Sequence, residues 1–131
     1  MIPSAMDKRK SILVVDDDEQ ILFVWRGALE GHAENWHVET AQSGHEALEK
    51  IGTTVFDLIV TDLRMPDMDG SDLTMAVRHL MGDVPVIWIT AYPQPGALVR
   101  AEELAVCRFL NKPMGVAQIR QTVAQVLADT N

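Results

Sequence analysis

A single cysteine, Cys107, stands among 131 residues. One thiol forms no internal disulfide, and the histidines at 32, 37, 45 and 79 give no Cys/His metal spacing. Within its apolar stretch, Cys107 is expected to be a small buried hydrophobe. Basic residues are also scarce, 11 Lys and Arg against 19 Asp and Glu, for a net charge of -8. A binder of phosphate backbones carries a basic patch, so direct nucleic-acid binding by this chain is not expected. No apolar run reaches the ~18 residues of a membrane span. Residues 1–10 lack the apolar core of a signal peptide. The reading is a soluble, cytoplasmic protein. Hydrophobic residues at 47% and charged residues at 23% exclude a disordered or fibrous chain. The length suits one domain with a real core.

Residues 1–10 read as a flexible polar leader, 11–128 as the domain and 129–131 as a tail. No repeat, second domain or fused output domain is expected within them. Short apolar runs alternate with segments of helical period. The run 12–15 stops at Asp16, Asp17 and Asp18. A helix from Glu19 to about Gly31 follows, with Val24, Trp25, Ala28 and Leu29 as its buried stripe. A weaker run, 36–41, precedes Ser43, which with Glu46 forms a capping box for a helix to Ile51. The run 58–61 ends at Asp62. A turn-rich loop, 65–70, then leads to Ser71, the expected cap of a helix to Met81. The run 84–89 ends at Thr90 and reads as a strand covered on both faces. A short helix over 96–104, a strand over 106–110 and a helix over 116–128 complete the chain. Ile119, Val123, Val126 and Leu127 form the buried face of the last helix. Five such alternations imply a parallel sheet with helices on both faces.

Four strand ends carry chemistry: Asp16 and Asp17, Asp62, Thr90, and Lys112. In a doubly wound sheet, ligands bind beyond the carboxyl ends of the strands, at the switch in strand order. The order 2-1-3-4-5 brings these residues into one crevice. Three close carboxylates repel unless a cation neutralises them, and hard oxygen ligands suit Mg2+. Asp62 can attack phosphorus to give an aspartyl phosphate. Lys112 offers a point charge and Thr90 a hydroxyl donor to phosphate oxygens.

Five motifs carry a family resemblance. They are Ile-Leu-Val-Val-Asp-Asp at 12–17, Asp-Leu-Ile-Val-Thr-Asp at 57–62, Met-Pro-Asp-Met-Asp-Gly at 65–70, Val-Ile-Trp-Ile-Thr-Ala at 86–91 and Phe-Leu-Asn-Lys-Pro at 109–113. In this order, at strand ends, they resemble the receiver domain of two-component response regulators. The resemblance covers roughly residues 11–128 and implies the CheY-like, flavodoxin-like α/β fold. It further implies Asp62 as phosphoacceptor and Mg2+ held by Asp16, Asp17, Asp62 and the backbone carbonyl of Arg64. Thr90 and Lys112 would bind the phosphoryl group, with Thr90 and Phe109 as the switch pair. The Lys112–Pro113 bond would be cis. The implied partners are a histidine kinase or a His-containing phosphotransfer domain, with an unnamed downstream output and no membrane. Homodimers through helix four, strand five and helix five occur in the family. The implied role is a signalling switch whose only chemistry is its own phosphorylation and dephosphorylation.

Some readings stay open. Phe109 lacks the hydroxyl of a tyrosine switch and equally reads as a static core aromatic. Arg64 and Tyr92 flank the site, either tuning access of water to the phosphoryl group or merely exposed. Pro93 and Pro95 stiffen the start of helix four. Ile21, Leu22 and Phe23 widen the apolar arc of helix one, as core or as a docking surface for the kinase. Two rival functions are a binding module that works without phosphorylation and a metal-dependent phosphatase. The phosphatase would want a second Asp where Arg64 stands.

Overall fold

Five short strands share one parallel sheet: β1 (Ser11–Val15), β2 (His37–Ala41), β3 (Leu58–Asp62), β4 (Val86–Thr90) and β5 (Arg108–Asn111). Their order is β2-β1-β3-β4-β5, the flavodoxin-like arrangement. These come from a computed structural model that describes residues 9–32, 34–91 and 94–129. Residues 1–8, 130 and 131, from the leader and the tail, lie outside the described residues, as do Tyr92 and Pro93. The helices alternate with the strands: α1 (Glu19–Leu29), α2 (Gly44–Ile51), α3 (Gly70–Met81), α4 (Ala97–Glu103) and α5 (Val116–Asp129).

The interior strands are apolar without a polar side because both faces are covered. Ile12, Val14, Val60, Ile87 and Ile89 pack with residues of α1 and α5. Leu13, Val15, Ile59, Val86 and Trp88 pack on the opposite face with residues of α2, α3 and α4. On α5, Ile119, Val123, Val126 and Leu127 are all buried, as their spacing predicts. On α1 the buried residues are Leu22, Trp25, Ala28 and Leu29, while Val24 is 48% exposed. The expected stripe was centred wrongly there. Leu22, Trp25 and Leu29 lie on one face, and Val24, two positions from Leu22, points well away from it.

Helix starts follow local hydrogen bonding. Asp18 caps α1, accepting from the N–H groups of Gln20 and Ile21. Ser43 caps α2 as expected, accepting from Glu46 N at 3.0 Å. The Glu46 carboxylate, however, reaches the N–H of Gln42 at 2.8 Å rather than that of Ser43. Helix α3 is capped by Asp69, not Ser71. The Asp69 carboxylate accepts from Asp72 N at 2.9 Å and from the Ser71 hydroxyl at 2.8 Å, a stronger cap than a hydroxyl alone.

β5 starts at Arg108, two residues later than its apolar run suggests. Ala105 has a positive φ of 58°, and its turn keeps Val106 off the strand. Cys107 donates its N–H to Val86 O at 2.8 Å, yet its side chain is exposed, against expectation. β5 is an edge strand, paired only with β4, so an apolar run there does not guarantee burial.

Candidate functional site

The parallel register puts every strand's carboxyl end on one edge. Val15 stands opposite Thr61, Asp62 opposite Ile89, and Thr90 opposite Asn111. Asp16 follows β1, Asp62 and Thr90 end β3 and β4, and Lys112 follows β5. Asp16, Asp62 and Thr90 are buried, while Asp17 is exposed. Lys112 Nζ donates to Asp16 Oδ2 at 2.9 Å and to Asp62 Oδ2 at 3.1 Å. Arg64 N donates to Asp62 Oδ1 at 3.2 Å, and Asp18 N to Asp16 Oδ1 at 2.8 Å. The Lys112–Pro113 peptide bond is cis.

One carboxylate oxygen each from Asp16, Asp17 and Asp62 lies within 4.8 Å of the others. Three acids facing one ammonium leave an excess of about two negative charges at neutral pH. Clustered hard oxygens with that excess suit a divalent cation such as Mg2+. Asp62, Arg64, Thr90, Ala91 and Lys112 line an opening of about 330 Å³ above this cluster. Its walls offer a carboxylate, an ammonium and a hydroxyl, groups compatible with phosphoryl transfer.

Burial is the largest influence on Asp16 and lifts its carboxyl from 3.8 to about 6, with the charge of Asp62 adding to the lift. Hydrogen bonds from Lys112 and from Asp18 N–H, and the Lys112 charge, work the other way. For Lys112, burial disfavours the ammonium, but its bonds and attraction to Asp16 and Asp62 outweigh this and raise its pKa. The sign for stability follows from Asp16. Without a metal, its contribution is fully present below pH 3.8 and is lost as pH rises through about 6. In chelator, the stability of the wild type relative to Asp16→Asn should therefore fall by on the order of 2 kcal/mol between about pH 4 and about pH 7. Urea titrations of both proteins measure it, and a difference independent of pH would contradict it.

The aromatic expected to switch, Phe109, is half-buried. Its ring meets that of Trp88 edge-on, with centroids 6.0 Å apart and planes at 68°. Trp88 in turn donates Nε1–H to Thr74 Oγ1 at 2.8 Å, and Thr74 donates to Gly70 O at 2.7 Å. Trp25, which the sequence places only in the core, also borders the site. The Lys112 ammonium lies 5.4 Å from its ring centroid, a cation–π contact. An aromatic on a buried helical stripe reads as core, and nothing in its spacing reveals the lysine from the far edge. Arg64 is exposed and also lines a larger neighbouring cleft of about 720 Å³, between the β3–α3 loop and the start of α4.

The fold and this cluster define a signalling receiver. The chain belongs to the response regulator receiver domain family, which it matches over residues 12–124. It is 35% identical over 120 residues to the transcriptional regulatory protein ZraR of Escherichia coli, covering 92% of this chain and 27% of that protein. The chain thus spans about a quarter of the length of such curated relatives. Among solved structures, it is similar to a CheY-like receiver domain protein of Methanospirillum hungatei, with 29% identity and a TM-score of 0.85 over 92% of this chain and 94% of that one. Vibrio cholerae chemotaxis protein CheY4 is similar too, with 28% identity and a TM-score of 0.82 over 89% of this chain and 98% of that one. This is the receiver domain of a two-component response regulator. No helix among the described residues is long and apolar enough to cross a membrane.

Proposed function

We propose that Asp62 is the phosphoacceptor of this receiver. The observation that carries the reading is the pairing of the Asp62 carboxylate with Lys112 at 3.1 Å, inside the cluster with Asp16 and Asp17. A phosphohistidine of a histidine kinase or His phosphotransfer domain is the donor. An Asp62 oxygen attacks phosphorus, an O–P bond forms, and the N–P bond breaks with its electron pair returning to the imidazole, which takes up a proton. Lys112 shifts from bridging two carboxylates to pairing with a phosphoryl oxygen. Thr90, buried at the end of β4, donates its hydroxyl hydrogen to another. Asp16, Asp17, Asp62 and the Arg64 carbonyl would hold Mg2+, which would supply neutralisation of oxygen charge on the phosphoryl group. Asp17, the exposed member, is the ligand most open to arriving metal.

The newly bound charge at Lys112 and Thr90 biases two conformations of the domain, and Phe109, resting on Trp88, is placed to respond. The role is that of a cytoplasmic switch whose chemistry is confined to its own aspartyl phosphate. The names of the curated relatives support a transcriptional output, with DNA contact made elsewhere than in this acidic domain. Arg64 at the place where an aspartyl-phosphate phosphatase would want its second acid counts against small-substrate turnover.

Acetyl phosphate with Mg2+ is expected to give one phosphate adduct by intact mass, lost in chelator and absent in Asp62→Asn. A folded wild type that stays unmodified over rapid time points favours a binding module that needs no phosphorylation.

A further inference from the structure

Helix α4 is weakly held by apolar contact. Of its seven residues only Ala97 and Ala101 are buried, and Leu98 and Val99 are largely exposed. No side chain caps its amino end, where Gly96 has a φ of +85°. The carboxyl end is fastened differently. Arg78, near the end of α3, donates from Nε to Leu104 O at 2.8 Å and from Nη2 to Ala105 O at 3.2 Å. Its Nη1 reaches Gly82 O at 2.8 Å and Val84 O at 2.7 Å. One rigid planar fork thus ties the last turn of α4 to the end of α3 and the segment leading into β4. Ala105 sits in the left-handed region at φ 58°, and Val106 N and Ala105 N close the helix end onto Ala101 O and Glu102 O. That closure leaves the carbonyls of Leu104 and Ala105 to the guanidinium.

We propose that Arg78 is a positioning residue, the pin about which α4 turns when Asp62 is phosphorylated. The carboxyl end stays fixed on α3. The amino end follows β4 beyond Thr90 and Ala91 and lines the 720 Å³ cleft with Arg64, and it is the end that shifts. The pin itself is independent of the phosphoacceptor reading, whereas the turning rests on it.

Hydrogen exchange of the full chain, read by mass spectrometry, tests both halves. Without a phosphodonor, Arg78→Gln should speed exchange of amides 100–106 by about tenfold while β1 and α5 keep wild-type rates. Arg78→Lys, which retains charge but not the fork, should fall between. Wild-type rates at 100–106, or the same rise in every element, would overturn the pin. Should Arg78→Gln not fold, Arg78→Lys carries the same readout. With acetyl phosphate and Mg2+, the wild type should change at 97–101 and not at 104–106, and Arg78→Lys should change along the whole helix. A wild-type change centred on 104–106 would overturn the turning. A wild type that takes up no phosphate removes the trigger and the second half with it, and the first arm still decides the pin.

Discussion

Gly70→Ala is expected to destabilise the domain by about 3 kcal/mol and to slow phosphorylation of Asp62 sharply. Gly70 opens α3 and donates its N–H to Leu63 O at 2.8 Å, which brings the helix start against the end of β3. A Cβ there would lie 2.6 Å from Asp62 O and 2.9 Å from Leu63 Cα. Both are backbone atoms of the segment that carries Asp62, so no rotamer change relieves the clash. Gly44→Ala is the matched comparison. The three atoms nearest its Cβ would all belong to the Met68 side chain, Sδ at 2.6 Å, Cγ at 2.8 Å and Cβ at 3.0 Å. The methionine side chain beyond its Cβ repacks easily, and the preference of helices for alanine, about 1 kcal/mol in an interior and less at this first position, offsets part of the cost. Gly44→Ala should therefore be close to neutral. Urea melts of the two variants, with adduct formation by intact mass, measure the contrast. Equal losses at both positions would show that backbone crowding is not the cause.

Lys112→Ala is expected to slow phosphate uptake about a hundredfold, the scale seen when a donor to a developing oxyanion is removed. It should also cost about 2 kcal/mol of stability near pH 8 in chelator. The ammonium bonds two buried carboxylates, so its loss leaves Asp16 and Asp62 facing each other. The stability loss should shrink near pH 5, where Asp16, lifted to about 6, holds its proton. Mg2+ should recover part of the stability and little of the rate. A variant that takes up phosphate at the wild-type rate would remove Lys112 from the chemistry.

The sheet was legible because β1, β3 and β4 are short apolar runs cut off by Asp16, Asp62 and Thr90. Strand ends, parallel order and a shared edge then bring together residues as distant as Asp16 and Lys112. Choices made by competition between neighbours were not legible. Asp69 and Ser71 are both good caps, and the carboxylate wins by bonding the hydroxyl as well as the backbone. Cys107 sits in an apolar run, but only the strand order reveals that the run is an edge. The width of the apolar arc on α1 conceals its centre, which lies at Leu22 and Trp25 rather than at Val24. Arg78 reads as a solvated helical arginine. Its partners Leu104 and Ala105 reach it only once α4 has folded back against α3.

The contact between Lys112 and Trp25 has an optical meaning. Indole emission depends on the electric field across the ring, and a unit positive charge 5.4 Å from its centroid contributes strongly to that field. Trp25 is shielded from water, at 5% exposure, so solvent does little to mask the effect. An event that displaces the ammonium, whose field Asp16 and Asp62 offset in part from 2.9 and 3.1 Å away, should alter the light that Trp25 emits. The domain therefore carries its own unlabelled reporter of the charge state at the edge of the sheet.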